Sequence, residues 1–174
     1  MTDTLQKIKD NSLTELELSV SADEVFDDVK EFFSALGENK SIETVKLTGD
    51  FIGDLRHDAR HELLTSLGKI TTLKEAYLGD GLVMLTDIQA MVTGAKNLRA
   101  FTMDNLVLQG VSDHFDAFEA TLYSHPCIKE FEMIECTPAA KDCSLEQLDR
   151  AGKKFSSPTS INNPALKSQS AVSA

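Results

Sequence analysis

The 174-residue sequence predicts an α/β fold: a short solenoid of about five strand–helix repeats, with a parallel sheet on the concave face and helices on the convex face. Three observations carry this. A six-residue pattern, apolar-x-x-apolar-x-apolar, recurs five times; the stretches between recurrences switch to helical period; and turn and capping residues fall at the joins. Stacked repeats need that organisation, because a single strand–helix unit cannot bury its own apolar face.

The pattern reads Leu13, Leu16, Leu18; Ile42, Val45, Leu47; Leu73, Ala76, Leu78; Leu98, Phe101, Met103; and Ile128, Phe131, Met133, with 29, 31, 25 and 30 residues between first members. The last two members of each block alternate with other residues, the period of a half-buried strand. Leu16, Leu18, Val45, Leu47, Leu78, Phe101, Met103, Phe131 and Met133 are therefore expected in one continuous core. Between blocks, Val25, Val29, Phe32 and Leu36 fall on one helical stripe, widened by Phe26 and Phe33. Leu55, Ala59, Leu63 and Leu67 make the second stripe, Ile88, Met91, Val92 and Ala95 the third, and Val111, Phe115, Phe118 and Leu122 the fourth. Leu145, Leu148 and Phe155 form a less regular fifth.

Punctuation agrees with the periods. Ser21-x-x-Glu24, Thr86-x-x-Gln89 and Ser144-x-x-Gln147 have capping-box form. Gly37, Gly68 and Gly94 stand where the first three helices should end in a left-handed residue, and Pro126 blocks continuation of the fourth.

The chain resembles leucine-rich repeats of the ribonuclease-inhibitor type, whose consensus L-x-x-L-x-L-x-x-N/C opens each repeat. Cys136 matches the Asn/Cys position of the fifth repeat, Asp50 and Ser21 are looser substitutes, and Gly81 and Leu106 depart from it. The short repeat count, with Ala35-Leu36-Gly37-Glu38-Asn39-Lys40-Ser41-Ile42 followed by Phe51-Ile52-Gly53-Asp54, looks like the repeat domain of tropomodulin and similar proteins. The likeness spans roughly residues 12–150 and implies a binding surface without catalysis.

Three segments follow: residues 1–11 covering the N-terminal edge, residues 12–155 forming the repeat domain, and residues 156–174 forming a disordered, serine-rich tail. No amphipathic helical segment is expected before residue 12, which counts against a tropomodulin-like cytoskeletal role. The start, MTDTLQKIKD, has no apolar core, so no signal peptide is expected, and no apolar run is long enough to span a membrane. A net charge of −11 argues against nucleic acid and against an anionic membrane surface. Cys127, Cys136 and Cys143 are odd in number and lack C-x-x-C spacing, consistent with reduced thiols in the cytoplasm.

Chemistry-bearing motifs are sparse. His57 and His61 lie four apart beside Glu62, but a zinc site needs three or four converging ligands, and the pair reads as a solvated helix face. No G-x-S-x-G elbow is present, and Gly79-Asp80-Gly81 lacks the rest of any phosphate loop and reads as a turn after the third strand. No catalytic residue, metal or cofactor is expected, and the chain is read as a non-enzyme.

The concave face is the informative feature. With the apolar residues inward, alternation turns outward Glu15, Glu17 and Ser19; Thr44, Lys46 and Thr48; Glu75, Tyr77 and Gly79; Ala100, Thr102 and Asp104; and Glu130, Glu132 and Ile134. Six acids and one base surround a central Tyr77, a hot-spot arrangement, and Asp50, Asp80, Asp104 and Glu135 add a rim of acids. Glu15, Glu17, Lys46, Glu75, Tyr77, Thr102, Asp104, Glu130 and Glu132 are the expected partner-binding residues, and a basic protein the expected partner. The alternatives are a structural subunit that uses its C-terminal tail as a clamp, and tropomodulin-like cytoskeletal binding. The oligomeric state is open.

Overall fold

Each of the five apolar blocks forms a strand. The computed structural model describes residues 3–156. Its strands are β1 (Glu15–Leu18), β2 (Thr44–Leu47), β3 (Glu75–Met84), β4 (Ala100–Gln109), β5 (Glu130–Ile134) and a two-residue β6 (Thr137–Pro138). Its helices are α1 (Asp3–Lys9), α2 (Ala22–Val25), α3 (Val29–Glu38), α4 (Asp50–Gly53), α5 (His57–Leu67), α6 (Leu85–Gly94), α7 (Ser112–Ser124) and α8 (Glu146–Ser156). The sheet runs β1-β2-β3-β4-β5 with every pair parallel, and β6 joins the far end of β4.

Register follows repeat position without a slip. Leu16, Val45, Ala76, Phe101 and Phe131 lie side by side in one inward row, and Leu18, Leu47, Leu78, Met103 and Met133 in the next. Both rows are buried except for Met133, expected in the core but only half-buried. Among the described residues no repeat follows β5, and Met133 lines a recess that Leu148, Gly152 and their neighbours on α8 border. A phenylalanine seam ties the layers together: Phe26 stacks on Phe32 at 4.0 Å, Phe32 meets Phe51 edge-on at 6.0 Å, and Phe131 packs on Phe101 and Phe118.

Between strands, loop side chains bind the preceding repeat. Ser41 Oγ donates to Leu13 O at 2.7 Å, Thr72 Oγ1 to Ile42 O at 2.7 Å, and Asn97 Nδ2 to Thr71 O at 2.7 Å. These bonds satisfy loop carbonyls that no ladder reaches. At the C-terminal end, Arg150 grips Glu119 through two bonds of 2.9 and 2.8 Å, holding α8 on α7. The guanidinium lowers the Glu119 pKa.

Several expectations need correction. The first helical stripe is split into α2 and α3, because Phe26 is extended and Asp28 caps α3, accepting from the amides of Lys30 and Glu31. Ser21 makes no cap; its hydroxyl donates to Asp54 in the next repeat. Thr86 lies inside the first turn of α6, whose N-cap is Met84. Ser144 does accept a long bond from the Glu146 amide, while Gln147 reaches Asp116 instead of turning back. Val111 precedes α7 and is 58% exposed, off the inner face.

Gly37, Gly68 and Gly94 are not left-handed. Gly94 is required by close approach: a Cβ there would meet the Gly68 carbonyl oxygen at 2.6 Å. An amphipathic helical segment does precede residue 12. In α1, Leu5 and Ile8 are buried while Lys7 and Lys9 face solvent, and seven residues are too few to display a periodic stripe in sequence. The tail reading falls on residues 157–174, outside the described residues, and Ser156 itself ends α8.

Candidate functional site

Alternation along the five strands turns the expected binding residues to one solvent-facing side. Glu17, Lys46, Tyr77, Thr102 and Glu132 form one row across the sheet, and Glu15, Thr44, Glu75, Ala100 and Glu130 the row nearer the strand starts. Asp104 lies in a third row, between Gly79 and Ile134. The structure thus brings all nine expected residues onto a single surface.

Their charges are not equally available. Lys46 sits 3.8 Å from Glu17 and 5.2 Å from the Tyr77 ring centre, so the one base on this face is shared between an acid and an aromatic. The Tyr77 hydroxyl donates to Asp104. That bond, then burial, then the nearby charges of Asp104, Asp80 and Glu132 push the phenol up to about 12, so it stays protonated at neutral pH. Glu15, Glu75, Glu130 and Glu132 are exposed, and among the described residues none has a cation within ion-pair distance. Beside Glu130 and Glu132, a recess of about 250 Å³ opens between Thr102 and Phe155.

The rim acids divide in the same way. Gly79-Asp80-Gly81 is not a turn but the middle of β3, where Asp80 takes a left-handed φ of 63°. Its carboxylate accepts from the Gly49 amide at 2.8 Å and from Asn105 Nδ2 at 3.0 Å, tying three repeats together. The Asn105 amide, then the Gly49 N–H, lower its pKa. Gly49 (φ 60°), Asn105 (φ 54°) and Glu135 (φ 51°) repeat this backbone kink two residues after the last apolar strand position of their blocks. The sequence reading missed the ladder, although Gly49, Asp80 and Asn105 are all residue types that tolerate positive φ. Asp50 starts α4 and is exposed, as is Glu135.

The other motifs do not converge. His61 Nδ1 lies 2.7 Å from Asp87 on the next helix, and among the described residues no three His, Cys, Asp or Glu side chains gather as metal ligands. Cys127, Cys136 and Cys143 are all unpaired and partly buried, and burial raises the Cys136 thiol. Among the described residues no helix is long and apolar enough to cross a membrane.

Parallel strands in strict repeat register, each followed by helical structure, with an exposed polar sheet face, define a leucine-rich-repeat fold. The sequence matches no protein-family model and no curated protein. Among solved structures the chain is similar to leiomodin-1 actin-binding site 2 (ABS2), with a TM-score of 0.60 over 87% of this chain and 86% of that chain. Identity is 12%, so the likeness defines the fold and nothing finer. The resemblance to short, tropomodulin-like repeat domains holds at that level.

Proposed function

We propose that this chain is a non-enzymatic protein-interaction module that binds a basic partner through the acidic open face of its sheet, in the cytoplasm. One observation carries the reading: Glu15, Glu75, Glu130 and Glu132 stand exposed, and unpaired among the described residues, around a half-buried tyrosine. Unpaired like charge on one face steers an oppositely charged partner, and a fixed aromatic gives it an anchor. Three unpaired thiols support a reducing setting.

A second reading is cytoskeletal. The similar region of leiomodin-1 is named as an actin-binding site, and α1 removes the objection that no amphipathic helix precedes residue 12. Co-sedimentation with purified actin filaments tests it, and failure to pellet retires it. The structural-subunit reading rests on the tail, outside the described residues.

Binding kinetics against a partner captured with the wild-type chain test the main reading. Glu130→Lys with Glu132→Lys should slow association and flatten its salt dependence, since exposed charges govern encounter. Tyr77→Ala should raise the dissociation rate, at about 2 kcal/mol for a hot spot. Arg60→Ala, on α5, should do neither. Wild-type kinetics in both face variants would retire the proposal.

A further inference from the structure

We infer that the strand-start edge of the sheet is a second docking surface, shaped for a short acidic segment of a protein partner. This does not rest on the reading of the acidic face and uses none of its residues.

Lys74, Arg99 and Lys129 each stand one residue before a strand, at β3, β4 and β5. The Arg99 amide donates to Lys74 O at 2.7 Å and the Lys129 amide to Arg99 O at 2.8 Å, so the three are successive rungs of the sheet. Neighbouring rungs lie about 4.8 Å apart. Like charges aligned across strands weaken a sheet, so placing these cations side by side does not serve the fold. Among the described residues only Lys74 of the three has an acid, Glu43 at 3.2 Å. Arg99 and Lys129 are exposed, and among the described residues neither has a carboxylate within ion-pair distance. In a chain of net charge −11, such a row stands out against its surroundings.

Behind the row is a recess of about 280 Å³, lined by Thr71, Thr72, Lys74, Asn97, Arg99 and Cys127 together with Glu43. Its floor is fixed, because Asn97 and Thr72 are each tied to a backbone carbonyl at 2.7 Å. The row spans two rungs, about 10 Å. Alternate side chains of an extended peptide lie about 7 Å apart, so two or three carboxylates cover it. A nucleic acid fits less well: phosphates continuing past the row on the β2 side would meet Glu43, the exposed next rung after Lys74. A short acidic peptide stays on the edge.

The test is titration of fluorescein-labelled hexaglutamate into the whole chain, followed by anisotropy and by backbone-amide NMR. Saturable binding weakened by salt is expected, with shifts centred on Thr71, Thr72, Asn97 and Arg99. Arg99→Ser with Lys129→Ser should weaken it by about tenfold or more while leaving the melting temperature unchanged, since both side chains are exposed. Lys141→Ser with Lys153→Ser should leave the affinity unchanged. The inference is overturned by absence of saturable binding, by shifts elsewhere, or by equal weakening in the Lys141/Lys153 control. Tighter binding of inorganic phosphate or a single-stranded oligonucleotide than of the peptide also overturns it.

Discussion

Alanine at the three glycines near helix ends should give three different outcomes, graded by what a new Cβ would touch. At Gly37 the nearest atom is Lys69 Cδ at 3.4 Å, the flexible part of a side chain. The backbone there is helical, so Gly37→Ala should stabilise by about 0.4–1 kcal/mol through helix propensity and a less disordered unfolded chain. At Gly68 the new methyl meets the Met91 backbone at 3.2 Å, which needs a shift of a few tenths of an ångström. A cost below about 1 kcal/mol is expected there. At Gly94 it would lie 2.6 Å from the Gly68 carbonyl oxygen and 3.2 Å from its carbon, both backbone, so α5 and α6 must move apart. Overpacking of that kind costs about 1–3 kcal/mol. In a chain this size, 1 kcal/mol moves the melting temperature by about 2–4 °C. Urea unfolding of the single variants, with unchanged m-values, gives the differences directly. Because both new methyls press the end of α5 away from α6, the double variant should cost less than the two singles added. Uniform loss at all three sites, as left-handed caps would give, refutes the packing argument.

Leu47 is fully buried in its row between Leu18 and Leu78, so Leu47→Ala should cost about 2–5 kcal/mol by chemical denaturation, and a cost under about 1 kcal/mol would contradict the continuous core. Tyr77 provides a pH test, because its phenol ionises near 12 in the folded chain against about 10 unfolded. The unfolded chain loses this proton first, so the contribution is complete below about pH 10 and is lost as pH rises through about 12. In a Tyr123→Phe background Tyr77 is the sole tyrosine, and its tyrosinate absorbance should rise late; Asp104→Asn should bring it earlier by removing the nearest charge.

Strands were legible in the sequence because each inward position is apolar in every block, and a parallel register preserves repeat position. Helix detail was less legible. The stripe through Val25 and Phe32 is continuous in period, yet Asp28 turns its carboxylate onto two free amides and restarts the helix. Capping-box spacing misled at Thr86 because Leu85 already begins the helix. On the open face, alternation showed that the nine residues share one side of the sheet, but spacing could not show that Asp104 is held by Tyr77 or that Lys46 lies between Glu17 and Tyr77. The cations of the strand-start edge had a signal: Lys74, Arg99 and Lys129 all occupy the first x of three consecutive blocks. Net charge masked it.

The lengths of the strands set the mechanics of the open sheet face. β3 and β4 run side by side for ten residues, and β4 also carries β6, whereas β1 and β2 share only four. The Asp80 ladder then clamps the loop after β2 and the middle of β4 onto β3. The array is therefore stiffest under Tyr77 and more compliant toward Glu15 and Glu17. A rigid ligand seated on the tyrosine would bend the β1 end toward itself before it strained the centre.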